Sequence, residues 1–135
     1  MKRALLVDDD EDFCSHLAET LDRCVQNCCI ITARNGKEAA RIMAVTPVDF
    51  IITDLNMPRM DGYGFISHAR KNFPDIPILA MTGTKTPEVE KRLRTLGVAR
   101  CIEKPFDVKE IVPLILSELQ GKISSDSTQP GPGFT

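Results

Sequence analysis

Two kinds of hydrophobic pattern alternate along the chain. Short unbroken apolar runs each end at a polar residue: Ala4-Leu5-Leu6-Val7 before Asp8, Phe50-Ile51-Ile52-Thr53 before Asp54, and Ile78-Leu79-Ala80-Met81 before Thr82. Cys28 to Thr32 is rich in β-branched residues, and a shorter run, Cys101-Ile102, leads into Glu103-Lys104-Pro105. Such runs predict strands buried on both faces, as in a parallel sheet. Between them the apolar positions take helical spacing. Phe13, Leu17, Leu21 and Cys24/Val25 form one stripe. Asn35 with Glu38 resembles a capping box ahead of Ala39, Ile42 and Met43. Asp61-Gly62 opens a segment carrying Phe65, Ile66 and Ala69. Thr86-Pro87-Glu88 supplies a cap, a first-position proline and a first-turn acid, with Leu93, Leu96 and a stop at Gly97. A last helix is expected from about Asp107 to Gln120 on Ile111, Leu114, Ile115 and Leu119. Pro113 inside it predicts a kink or a delayed start.

Five strand–helix units predict an α/β fold with a doubly wound parallel sheet and right-handed crossovers. No internal repeat is present. Residues 1–120 read as one domain. Residues 121–135, GKISSDSTQPGPGFT, are polar with Pro and Gly and read as a flexible linker or disordered tail, of the kind that leads to a further domain.

Composition narrows the function classes. The 135 residues carry 17 Lys+Arg and 19 Asp+Glu, a net charge of −2, with 42% hydrophobic residues. That balance lacks the basic footprint of a nucleic-acid binder, so no direct nucleic-acid partner is expected. No run approaches a membrane span, so no membrane partner is expected. The apolar stretch in MKRALLVDDD is too short for a signal peptide, which favours a cytoplasmic location. An odd set of cysteines, Cys14, Cys24, Cys28, Cys29 and Cys101, argues against a disulfide framework. His16 and His68 lie apart from any cysteine pair, so a zinc site is not supported and the cysteines read as small buried hydrophobes.

In an open parallel sheet, ligands bind beyond the carboxyl ends of the strands, where strand order reverses. Asp8-Asp9-Asp10, Asp54, Thr82 and Lys104 all stand at such ends and should converge on one edge. Two carboxylates about 4 Å apart repel by roughly 4 kcal/mol at an effective dielectric of 20. The gathered acids therefore need counter-charge. Lys104 supplies one positive charge, and an oxygen-only ligand set with spare positions suits Mg²⁺, or Mn²⁺ in its place. A carboxylate, a metal, a hydroxyl and an ammonium together form a receptacle for a phosphoryl group, with the carboxylate as nucleophile.

These residues resemble the receiver domain of two-component response regulators, the CheY-like superfamily. The resemblance runs from about Arg3 to Gln120 on four motifs in order: VDDD at 7–10, TDLNMPRMDG at 53–62, MTG at 81–83 and EKPF at 103–106. It implies a flavodoxin-like (βα)5 fold with strand order 2-1-3-4-5. It implies that Asp54 accepts a phosphoryl group from a sensor histidine kinase or phosphotransfer protein. Asp9 would ligate Mg²⁺ directly and Asp8 through water, with Asp54 and the backbone carbonyl of Asn56 completing the set. Thr82 would hydrogen-bond the phosphoryl group as the switch hydroxyl, Lys104 would pair with that group, and Lys104–Pro105 would be cis. Asp10 would cap the first helix, and Pro58 and Gly62 would shape the loop after Asp54. Met57 and Met60 would pack that loop. Asn56 and Thr84 would lie near the water that later hydrolyses the phosphoryl group. Output would pass to a further domain or partner through the helix 4–strand 5–helix 5 face, and homodimerisation stays open.

Two positions depart from the family pattern. Cys101 stands where many receivers carry the aromatic residue whose rotation reports phosphorylation, so it enters the switch set beside Thr82. Gly83 follows Thr82 where Ala is more usual, which is expected to loosen the loop. Two other readings compete. One is a receiver-like scaffold that signals without phosphorylation. The other is a phosphatase of the haloacid-dehalogenase type, which also uses an Asp, a Thr, a Lys and Mg²⁺. Asp8-x-Asp10 fits its first motif, but Asp12 stands where that motif wants Thr or Val. Otherwise the module is a phosphoacceptor switch rather than an enzyme.

Overall fold

A computed structural model describes residues 1–57 and 62–127. The expected runs form strands β1 (Lys2–Val7), β2 (Cys28–Ala33), β3 (Phe50–Asp54), β4 (Ile78–Thr82) and β5 (Arg100–Glu103). Helices α1 (Glu11–Cys24), α2 (Gly36–Val45), α3 (Gly62–Asn72), α4 (Pro87–Thr95) and α5 (Val108–Ser127) alternate with them. All neighbouring strands are parallel, in the order β2-β1-β3-β4-β5. The chain leaves β1 to one side and returns on the other, so the reversal lies between β1 and β3. Asp8 and Asp54 stand at the two strand ends that flank it.

Strand periodicity divides the core between the two faces of the sheet. Leu5, Val7, Ile51, Ile78 and Ala80 point to the face covered by α2, α3 and α4 and meet Met43, Phe65, Ile66 and Leu93. Ala4, Leu6, Ile52, Leu79 and Met81 point to the other face and meet Leu17 and Leu21 of α1 and Ile111 and Ile115 of α5. Every residue of β3 and β4 is buried, which explains their unbroken apolar runs.

The helix starts follow their caps. Asp10 accepts a hydrogen bond from Phe13 N, Asn35 from Glu38 N and Thr86 from Val89 N. Glu38 completes the Asn35 cap by accepting from Arg34 N, one residue upstream of the expected donor. Asp107 and Glu110 form an unforeseen reciprocal cap on α5: Asp107 N donates to Glu110 Oε1, and Asp107 Oδ1 accepts from Lys109 N. Pro113 lies inside α5 and does not delay its start. The helix also continues past the expected end at Gln120 to Ser127, through the first part of the segment read as a linker or tail. The remainder of that segment, and Pro58, Met60 and Asp61, lie outside the described residues.

The cysteine expectation holds in part. All are free; Cys14 and Cys28 are buried and Cys101 is half-buried, but Cys24 and Cys29 are exposed. Cys24 sits at the solvent-facing end of α1 and Cys29 on the outermost strand, where a strand has a neighbour on one side only.

Candidate phosphoryl-acceptor site

The carboxyl edge of the sheet gathers the expected residues. Oxygens of Asp8, Asp9 and Asp54 lie within 4.8 Å of one another. Asp8 and Asp54 are buried at 1% and 5% exposure, whereas Asp9 is exposed. At that spacing each carboxylate pair repels by roughly 3 kcal/mol in a medium of effective dielectric 20. Burial pushes the Asp54 carboxyl above the ordinary carboxylate range. The neighbouring Asp8 charge adds to the rise, against opposing pulls from Lys104 and the Asn56 N–H.

Lys104 lies between the two buried acids. Its Nζ donates to Asp8 Oδ2 at 2.5 Å and lies 3.7 Å from Asp54 Oδ2. Burial works against the ammonium, but the hydrogen bond to Asp8 and the charges of Asp54 and Asp8 outweigh it, so the net shift of Lys104 is upward. Two backbone features mark this residue. Lys104 N donates to Thr82 O at 2.8 Å, and the Lys104–Pro105 bond is cis. A third feature has a weak sequence signal: Nζ lies 4.5 Å from the centroid of the Phe13 ring, which in turn meets Phe106 edge-on at 5.8 Å. Phe13 reads from sequence as one more apolar position of α1, yet its ring faces the ammonium.

Asp8 is also held from its own loop. Asp8 Oδ1 accepts from Asp10 N at 3.0 Å, and Cys14 Sγ donates to Asp8 O at 3.4 Å. Burial, followed by the Asp8 charge, pushes the Cys14 thiol up to about 12, so it stays protonated as that donor. Asp54 Oδ1 accepts from Asn56 N at 3.3 Å, which turns the chain sharply after β3. Gly62 closes the same turn: its N–H donates to Leu55 O at 3.1 Å, and a Cβ there would lie 2.3 Å from Asp54 O.

Thr82 is buried beside β3, but its hydroxyl faces its own loop. It donates to Thr84 O at 3.3 Å and accepts from Thr84 N at 3.2 Å. Glu103 holds that loop from β5, accepting from Lys85 N at 3.1 Å. Cys101 packs, half-buried, against the core cluster on the α2, α3 and α4 face of the sheet, and burial raises its thiol pKa. The donor set fits a hard divalent cation: three convergent carboxylates, one of them exposed, in a setting where the described cation partner is a single lysine.

Comparison with known proteins points one way. The response regulator receiver domain family matches residues 4–116. A probable cyclic di-GMP phosphodiesterase of Vibrio cholerae is 33% identical over 90% of this chain and 27% of its own length. A probable transcriptional regulator of Porphyridium aerugineum is 34% identical over 98% of this chain and 55% of its own length. The chain thus spans between about a quarter and about half of these relatives. The non-phosphorylated HemR receiver domain of Leptospira biflexa superposes with a TM-score of 0.77 at 30% identity, over 98% of this chain and all of that one.

Proposed function

We propose that this chain, which belongs to the response regulator receiver domain family, is charged with a phosphoryl group on Asp54. One observation carries the assignment: Lys104 bridges two buried carboxylates at the reversal point of the sheet, beside a third that is exposed. Asp54 is the nucleophile. Asp8, Asp9, Asp54 and the carbonyl of Asn56 would hold Mg²⁺, or Mn²⁺, which when bound offsets the charge of the arriving phosphoryl group. Lys104 donates to the same group after exchanging its Asp8 contact. The Thr82 hydroxyl does so by leaving Thr84, which draws the β4–α4 loop inward and repacks Cys101. Asn56 and Thr84 are placed to influence later hydrolysis. The donor is a sensor histidine kinase or phosphotransfer protein. The signal leaves through the face made by α4, β5 and α5 to a further domain or partner, with homodimerisation as one form of it.

Intact mass after incubation with acetyl phosphate tests the reading. The expected result is one added phosphoryl group that requires Mg²⁺ and is absent in Asp54→Ala. No addition to the wild type, under conditions where beryllofluoride also fails to bind, would overturn it in favour of an unphosphorylated scaffold.

A further inference from the structure

The first turn of α1 reaches Lys104 through Phe13. The Asp10 cap sets that turn: Asp10 Oδ1 accepts from Phe13 N at 3.0 Å, while Asp10 N donates to Asp8 Oδ1 at 3.0 Å. Helical side chains lean toward the N-terminus of their helix, so a first-turn residue of α1 leans toward the carboxyl edge of the sheet. The Lys104 ammonium accordingly lies over the Phe13 ring, with Nζ 4.5 Å from its centroid. Phe106, just beyond Lys104 in the chain, meets the same ring at 87° and 5.8 Å. Phe13 thus touches both the lysine and the segment that carries it. The ammonium has three attractive neighbours: Asp8 Oδ2 at 2.5 Å, Asp54 Oδ2 at 3.7 Å and the ring face. Two of the three are carboxylates that converge as metal ligands would, and the ring is the one that is not.

We propose that Phe13 is a positioning residue for Lys104, keeping the ammonium at the acceptor edge once a metal takes up its carboxylate partners. The inference rests on Asp54 being the acceptor. A divalent cation held by Asp8 and Asp54 competes with the ammonium for the same oxygens, and its charge repels the lysine. The Lys104 stem is flexible and its side chain is 24% exposed, so a path to solvent is open. An aromatic face attracts a cation through its quadrupole while carrying no net charge. The ring therefore neither competes for the metal nor changes when the metal or the phosphoryl group arrives. With Asp8 withdrawn, the ammonium keeps a seat beside Asp54 from which it donates to an incoming phosphoryl oxygen. An aliphatic side chain at residue 13 would fill much of the same space without holding the charge.

The test pairs two measurements on wild type, Phe13→Leu and Phe13→Tyr. One is the initial rate of labelling by acetyl phosphate at saturating Mg²⁺, followed by intact mass. The other is Mg²⁺ affinity by titration calorimetry, without any phosphodonor. Phe13→Leu should slow labelling by about threefold to tenfold, the scale of a partly desolvated ammonium–ring contact. Phe13→Tyr, which keeps the ring, should restore the rate. Mg²⁺ affinity should hold or rise in Phe13→Leu, because the ammonium that competes for Asp8 is held less well. In a Lys104→Ala background, itself slower, the same Phe13→Leu change should leave the rate within about twofold, since the ring then has no ammonium to hold. A Phe13→Leu rate equal to wild type overturns the assignment. So does a loss of Mg²⁺ affinity in step with the rate, or an equal slowing without Lys104, either of which would make Phe13 a packing residue only. If acetyl phosphate does not label the wild type, the acceptor reading itself fails and this inference falls with it.

Discussion

At Gly62 the nearest neighbours of a would-be side chain are backbone atoms, Asp54 O at 2.3 Å and the Leu55 Cα at 2.4 Å, and backbone cannot swing aside as a long side chain can. Gly62→Ala should therefore destabilise by about 2 kcal/mol or more, since overpacking beside rigid atoms costs about 1–3 kcal/mol and here forces apart the turn after β3. Gly83 is the contrasting case. A Cβ there meets nothing within 4 Å, and Gly83 is not among the positive-φ residues of the described chain. Gly83→Ala should raise stability by roughly 0.4–1 kcal/mol by restricting the unfolded chain. Chemical denaturation of both variants checks the pair; Gly62→Ala as stable as wild type would show that the turn has room to relax. A residue can thus look equally small in the sequence and be required at one position and optional at another. The residue type predicted a shaped loop at Gly62 and a looser one at Gly83, but the distance to Asp54 O, which decides the matter, depends on the whole turn.

Among the elements, α5 shows where local reading stops. Its apolar positions at Ile111 and Ile115 lie in a helical period that the sequence displays, because burial against β-strand residues demands it, whereas its Asp107–Glu110 cap went unread. Its end was not legible. Residues 121–127 are polar apart from Ile123, a single further step of the Ile111, Ile115 and Leu119 spacing, and propagating a helix adds one backbone hydrogen bond per residue whether or not a side chain is buried. Pro113 is the opposite case, visible in sequence and tolerated in structure. It is exposed and lies past the first turn of α5, so it removes a hydrogen bond from the helix. Pro113→Ala should stabilise by about 1–2 kcal/mol: the helix interior gains up to about 3, and the freer unfolded chain returns up to about 1. A thermal melt reads the difference, and a variant less stable than wild type would mean that the proline ring fills a contact on α5.

For the whole molecule, topology explains why so much of the site could be read in advance. Parallel strands place every carboxyl end on one edge, so polar residues that follow apolar runs are brought together there: Asp8, Asp9, Asp54 and Lys104 meet, and Thr82 stands at the same edge with its hydroxyl turned to its own loop. What topology does not set is rotamer and partner: Lys104 rests on Asp8, the Thr82 hydroxyl on Thr84, and Phe13 over the ammonium. The assembled edge then stores a cost. The Asp54 pKa in the folded chain lies above its ordinary 3.8, so between those two values the folded state holds more protons than the unfolded one. Stability from this group is therefore highest at or below pH 3.8 and falls as pH rises through the folded pKa. Asp54→Asn removes the charge. In chelator-treated protein it should be more stable than wild type at pH 7, and that advantage should shrink steadily as pH falls toward 3.8. Mg²⁺ should narrow that gap: at ten times its dissociation constant a bound ion adds about 1.4 kcal/mol to wild type, and less to a variant lacking one carboxylate ligand. Thermal melts across pH, with and without Mg²⁺, measure both effects. An advantage of Asp54→Asn that grew as pH fell would show that attraction to Lys104 outweighs burial and Asp8 together. The edge would then be held together by its own lysine rather than poised to receive a metal and a phosphoryl group.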